Sequence, residues 1–194
     1  AIAAQRPLLR IEKLIIHEIP TGAEPEGVMV SEDGKTLYVT SEIADMVHVV
    51  DTDLGVVVDN IVVGTRPRRF AMLDNELWVT DELSGQVSII DRTTHQVTHT
   101  LEFLPPGFRP VDVTPVGIAW TADQSTVIVT LGRANHIAFV NAATKEIEAY
   151  VLVGSREGVK YGDWTMKDSM AHDALFCAID QLAMGLSTEQ FNSR

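Results

Sequence analysis

The chain of 194 residues carries a single cysteine, Cys177, so no intramolecular disulfide can form and no zinc site can rest on two thiolates. Basic residues are few. Fifteen Lys and Arg stand against 27 Asp and Glu, a formal charge of −12, and a field of that sign repels phosphate backbones and anionic membrane surfaces. No nucleic-acid partner is expected. Long apolar runs are missing as well: Val47 to Val50 and Val56 to Val58 fall far short of the ~18–20 residues that cross a bilayer. No membrane span is expected, and the chain reads as soluble. With 45% hydrophobic and 22% charged residues, its composition suits a globular protein of one domain or slightly more. The opening Ala1-Ile2-Ala3-Ala4-Gln5 looks like a signal-peptidase cleavage region, although no charged or long apolar segment precedes it.

What the chain does have is a repeat. Leu37-Tyr38-Val39-Thr40 recurs as Leu77-Trp78-Val79-Thr80 and as Val127-Ile128-Val129-Thr130. Eleven residues after each Thr a turn residue closes an apolar strand, at Asp51, Asp91 and Asn141. A proline precedes each block: Pro25, Pro67 and Pro115. The Thr residues are 40 and then 50 residues apart, the excess lying around Leu104-Pro105-Pro106-Gly107-Phe108-Arg109-Pro110, so the third unit carries an inserted lead-in loop. Each unit reads as four short strands separated by turn chemistry, as in Ser31-Glu32-Asp33-Gly34. Four short strands per ~40 residues is the signature of a β-propeller blade. Neither a Gly-His with Trp-Asp pairing nor a double-glycine kelch pattern is present.

The expected fold is therefore all-β: a propeller fragment of three four-stranded blades at residues 22–63, 64–103 and 104–153, preceded by a blade remnant at residues 1–21. Ile11 to Ile19 is laid out like the outer strand Ile147 to Val153. The pattern breaks in the tail, residues 154–194. There Lys167 to Leu186 reads as a helix, with Leu175, Ile179, Leu182 and Leu186 at helical spacing. This tail is either a genuine cap or the product of a reading-frame change.

The Leu-Tyr-Val-Thr strand, the Pro-x-Gly approach and the Val-x-Val-Val-Asp strand resemble the YVTN-type β-propeller repeat proteins. The stretches Glu24-Pro25-Glu26-Gly27, Asp45-Met46-Val47-His48, Val58-Asp59-Asn60, Arg66-Pro67-Arg68 and Arg109-Pro110 through Ile118 are similar to the PQQ-associated propellers of quinoprotein alcohol catabolism. The resemblance covers about residues 7–156. It implies a seven-bladed ring, of which this chain would be about half. It also implies a non-enzymatic binding or scaffold role in the periplasm or outside the cell, with a quinoprotein or a small anion as partner.

Chemistry in a propeller collects near the central channel, on the lead-in loops and the loops between second and third strands. Here the former carry Glu24, Glu26, Arg66, Arg68, Arg69, Asp112 and Thr114; the latter carry Ser41, Glu42, Asp45, Asp81, Glu82, Arg133, Asn135 and His136. Glu24, Glu26, Arg66, Arg68, Arg69 and Asp112 form the candidate ligand-binding set. Three guanidinium groups in one loop of an acidic chain suit a planar carboxylate or phosphate, and a quinone tricarboxylate qualifies. The preferred alternative is that they pair with Glu24, Glu26 and Asp112 of neighbouring blades.

No catalytic residue, metal or cofactor is expected. His48 and His136 read as hydrogen-bonded core histidines, and the aligned channel positions Glu26, Arg68 and Val116 do not make a ring of oxygen donors for a lactonase metal. A lactonase-type hydrolase remains the alternative. An incomplete ring also leaves two blade faces open, from which self-association or a covering tail is expected.

Overall fold

A computed structural model describes residues 18–153, 160–161 and 164–165. The remnant strand at Ile11 to Ile19 falls almost wholly outside the described residues, as do the tail helix and Cys177.

Three four-stranded antiparallel sheets follow one another along the chain. Blade one is β1 (Pro25–Val30), β2 (Thr36–Ser41), β3 (Met46–Asp51) and β4 (Val56–Val62). Blade two is β5 (Pro67–Leu73), β6 (Glu76–Asp81), β7 (Gln86–Asp91) and β8 (Gln96–Glu102). Blade three is β9 (Pro115–Trp120), β10 (Thr126–Leu131), β11 (His136–Asn141) and β12 (Ile147–Leu152). The first strands β1, β5 and β9 neighbour one another in that order, which makes them the inner strands beside the axis. A short pair, Lys160–Tyr161 with Trp164–Thr165, stands apart from these sheets.

The repeated residues have repeated duties. Tyr38, Trp78 and Ile128 face Val49, Ile89 and Phe139 across the second and third strands, so all three occupy one register position. Asp51, Asp91 and Asn141 each close the β3–β4-type turn by accepting two backbone N–H bonds through a single side-chain oxygen, at 2.7–3.0 Å. Left-handed backbone falls at Gly34, Asp74 and Gln124, again at Asp45, Gly85 and Asn135, and again at Gly55, His95 and Lys145. Each trio keeps the 40- and 50-residue spacing of the threonines.

The recurrent Thr repairs a defect in the inner strand. Each inner strand carries one extra residue after its proline, a bulge between Pro25 and Val28, Pro67 and Phe70, and Pro115 and Ile118. Bulging leaves a backbone N–H without a ladder partner. Thr40, Thr80 and Thr130 accept those amides, from Gly27 at 2.7 Å, Arg69 at 3.0 Å and Gly117 at 2.8 Å. Two of the hydroxyls also donate across a seam, Thr40 to the Arg68 carbonyl at 3.3 Å and Thr80 to the Val116 carbonyl at 3.0 Å. The blades approach closely at this point. A Cβ on Gly27 would lie 2.0 Å from the Arg68 oxygen.

Strand alternation then divides the core into seams. Leu77, Val79 and Ile90 of blade two meet Tyr38, Val47 and Val49 of blade one. On the opposite face, Trp78, Val87 and Ile89 meet Val127, Val129, Ala138 and Val140 of blade three. Each of the Val, Leu and Ile side chains among these contributes about 1.5–3 kcal/mol by leaving water. The inserted loop is pinned into the second seam by buried Phe103 and Val113, and Phe108 meets the His136 ring edge-on at 5.2 Å.

Candidate functional site

The lead-in loop of blade two lies against the β2–β3 loop of blade one. Arg66 sits in left-handed backbone at φ 60°, held there by its N–H donating to Asp45 Oδ1 at 2.9 Å. From that position its side chain turns back toward blade one. Glu42, the residue after β2, receives both neighbouring arginines: Arg66 Nε reaches Oε2 at 2.7 Å and Arg68 Nη1 reaches Oε1 at 2.7 Å. The Glu42 side chain is only 5% exposed.

Arg69 Nη2 stands 3.1 Å from Glu26 Oε1, and its Nη1 donates to the Glu26 carbonyl at 3.2 Å. Arg68 Nη2 lies 3.6 Å from the same carboxylate. Glu82, the blade-two counterpart of Glu42, brings Oε2 within 3.2 Å of Arg68 and 3.4 Å of Arg66. Those two contacts are coulombic, because Oε2 has no hydrogen bond.

Three guanidinium groups of blade two thus meet three carboxylates, Glu26 and Glu42 across the seam from blade one and Glu82 from their own blade. Hydrogen bonding to Glu42 is the main cause that raises the Arg66 pKa, and the charges of Glu82, Glu42 and Glu24 add to it. Of the six sequence candidates, Glu26, Arg66, Arg68 and Arg69 come together, with Glu24 near enough to act on Arg66 through its charge. Asp112 stands elsewhere. It clamps Arg109 of its own loop at 2.7 and 2.9 Å, and that contact holds its carboxyl below the usual range. The carboxylates at the centre of the cluster, Glu42 and Glu82, lie on the loops between second and third strands and outside the candidate ligand-binding set. Their 40-residue spacing beside the arginine loop was the available signal.

A second polar group ties down the connection between these blades. Asp81 ends β6 fully buried. Its Oδ2 accepts from Ser88 Oγ at 2.7 Å and Gln86 Nε2 at 3.2 Å, and the Gly64 amide also bonds the carboxylate. Oδ1 has no partner. Burial is the dominant cause that pushes its pKa up to about 6, with the Asp45 charge acting in the same direction. Blade one performs the same task with different chemistry: His48 Nε2 accepts from the Gly22 amide at 2.9 Å, while Nδ1 lies 2.5 Å from Asn60 Oδ1. His136 Nδ1 lies 2.6 Å from the Ala134 carbonyl. Both histidines have protein partners in the blades. Among the described residues, no three His, Cys, Asp or Glu side chains are placed to hold a metal ion.

The architecture is that of a β-propeller, and solved propellers match it. Hydrazine synthase of Kuenenia stuttgartiensis superposes with a TM-score of 0.61 at 20% identity, over 74% of this chain and 40% of that one. The periplasmic gluconolactonase PpgL of Pseudomonas aeruginosa gives 0.58 at 21%, over 71% and 43%. The WD40 repeats of RRP9 give 0.58 at 13%, over 71% and 41%. The chain thus spans less than half the length of these propellers. No protein-family model matches it. A curated acetyl-CoA acetyltransferase from Thiocystis violacea is 49% identical over 61 residues, 31% of this chain and 16% of that protein, a stretch too short to carry the three-sheet array.

Proposed function

We propose that the chain supplies three consecutive blades of a non-enzymatic binding propeller, of the kind associated with periplasmic quinoprotein alcohol oxidation. The observation that carries this reading is the Glu26–Glu42–Glu82 and Arg66–Arg68–Arg69 cluster on the axial loops. Arg66 and Arg69 keep 41% of their side chains exposed although each is held in place by a carboxylate. Guanidinium groups fixed before a partner arrives lose little rotamer freedom on binding, and they suit a planar polycarboxylate or an acidic patch on a partner protein. Further blades, from a longer chain or a second copy, would complete the ring and surround this rim. A periplasmic setting agrees with the described periplasmic location of PpgL.

Calorimetric titration of the full chain with pyrroloquinoline quinone, and with citrate as a non-planar control, tests the reading. Saturable binding of the quinone is expected, weakened about tenfold by Arg66→Ala or Arg69→Ala, equivalent to about 1.4 kcal/mol. Binding that both variants leave unchanged would overturn the role of the rim. The lactonase alternative has the fold likeness to PpgL for support. One tightly held divalent ion per purified chain, together with turnover of gluconolactone, would put that reading first.

A further inference from the structure

The rim opposite the arginine cluster holds a cleft of about 470 Å³ between blades one and two. Its existence follows from a comparison with the neighbouring seam. Between blades two and three, Lys145 reaches across the turns, pairs with Glu76 at 2.6 Å, and lies 4.9 Å from the centroid of the Trp78 ring. Trp78 in turn donates its N–H to Glu76 at 2.9 Å. Indole, carboxylate and ammonium together plug that seam.

The equivalent positions between blades one and two are Tyr38 for Trp78, Thr36 for Glu76 and His95 for Lys145. Thr36 is too short to accept a cross-seam cation. His95 turns aside to Asp59 at 2.8 Å. The plug is missing, and the cleft occupies its place.

The lining is polar and mixed in charge. Glu32, Asp33 and Asp74 supply carboxylates, Arg92 a guanidinium, Asn75 an amide and Tyr38 a phenol. Arg92 donates through Nη1 to the Asp74 carbonyl, which holds its partly exposed guanidinium at the wall of the cleft. Tyr38 is 2% exposed, so its ring forms the floor of the cleft.

A volume within the ~300–1,000 Å³ of ligand pockets combined with so little apolar lining is a poor match for a hydrophobic ligand. Arg92 opposes a cation, and three carboxylates oppose an anion. Hydroxyl groups satisfy both sets at once, donating to carboxylates and accepting from the guanidinium. We propose that this cleft binds a neutral polyhydroxylated ligand of monosaccharide or sugar-alcohol size. The proposal is independent of the arginine rim and of any quinone.

Ligand-observed NMR or calorimetry on the full chain, with glucose, mannitol and myo-inositol as neutral probes, tests it. Gluconate and glucosamine provide the anionic and cationic arms. At least one neutral probe should bind saturably, with Kd of about 1–10 mM. The triple variant Thr36→Glu, Tyr38→Trp, His95→Lys rebuilds the plug of the other seam and should weaken that binding about tenfold or more while the protein stays folded. Arg92→Met removes the guanidinium from the lining and should give the same loss, so a plug variant that fails to fold does not shield the idea. The proposal is overturned if no neutral probe saturates up to about 50 mM, if gluconate or glucosamine is preferred, or if Arg92→Met binds as tightly as the parent.

Discussion

Two seams built on the same backbone are held by different materials. Between blades two and three the centre is apolar and full, with the Lys145–Glu76 pair closing one rim: Trp78 and Trp120 meet edge to face at 5.4 Å, and Val87 and Ile89 close on Val127, Val129 and Ala138. Between blades one and two an aliphatic centre, Leu77 and Val79 against Tyr38 and Val49, is flanked by an ion-pair cluster at one rim and a cleft at the other. The difference teaches where a propeller gets its stability and where it can carry function. Both seams share the strand geometry, the threonine link and a packed apolar centre, and they differ at their rims.

The largest effect should come from cutting the apolar seam. Trp78→Ala removes a fully buried indole and is expected to cost about 3–5 kcal/mol. Tyr38→Ala at the equivalent position, already beside open volume, should cost clearly less. Urea unfolding of both variants measures the difference, and equal losses would mean that the seams do not differ as described.

Next in size is the charged rim. Glu42→Gln keeps the volume but leaves Arg66 and Arg68 without the carboxylate that both hydrogen-bond, with only the coulombic contacts to Glu82 remaining. Arg66 is 41% exposed, so water recovers part of the loss, and about 2–3 kcal/mol is expected rather than the ~3–5 of a fully buried pair. Asp112→Asn, on the exposed Arg109 clamp, should change the unfolding midpoint too little to measure. A Glu42 variant as mild as the Asp112 variant would show that the cluster does not hold the seam.

The most diagnostic effect depends on pH and concerns Asp81. Its folded pKa of about 6 stands above the ordinary 3.8, so between those values the folded chain retains a proton that the unfolded chain has released. This group therefore favours the folded state most at low pH, and the contribution, about 3 kcal/mol at most, is lost as pH rises through about 6. Asp81→Asn should flatten that slope. It should also stabilise the protein by about 1–2 kcal/mol at neutral pH, where the buried carboxylate is otherwise forced to ionise. Urea melts at several pH values across this window give the slope directly, and an unaltered slope would remove Asp81 as its source.

The fold was legible because its determinants are local and repeated. Thr40, Thr80 and Thr130 mark a strand end, and Asp51, Asp91 and Asn141 mark a turn, in each case through a bond reaching only a few residues or one strand away. The site was legible in part. Arg66, Arg68 and Arg69 announce themselves by density of charge, and Glu26 follows from the repeat. Glu42 could be assigned to a loop facing the channel, but its capture of two arginines depends on the left-handed turn at Arg66, which sends the side chain back across the seam. Asp112 shows the converse: sequence position put it on a lead-in loop, and the insertion gave it Arg109 as a nearer partner. The cleft was illegible, since it arises from what Thr36 and His95 fail to do rather than from any residue type.

The threonine link also bears on how such arrays grow. The donor blade must provide one hydroxyl, but the following blade answers with a main-chain oxygen, which every residue possesses. Arg68 and Val116 serve equally well, although their side chains have nothing in common. A duplicated blade would therefore keep this one link whatever residue follows it, so the acceptor positions are free to diverge even where the packed seam is not.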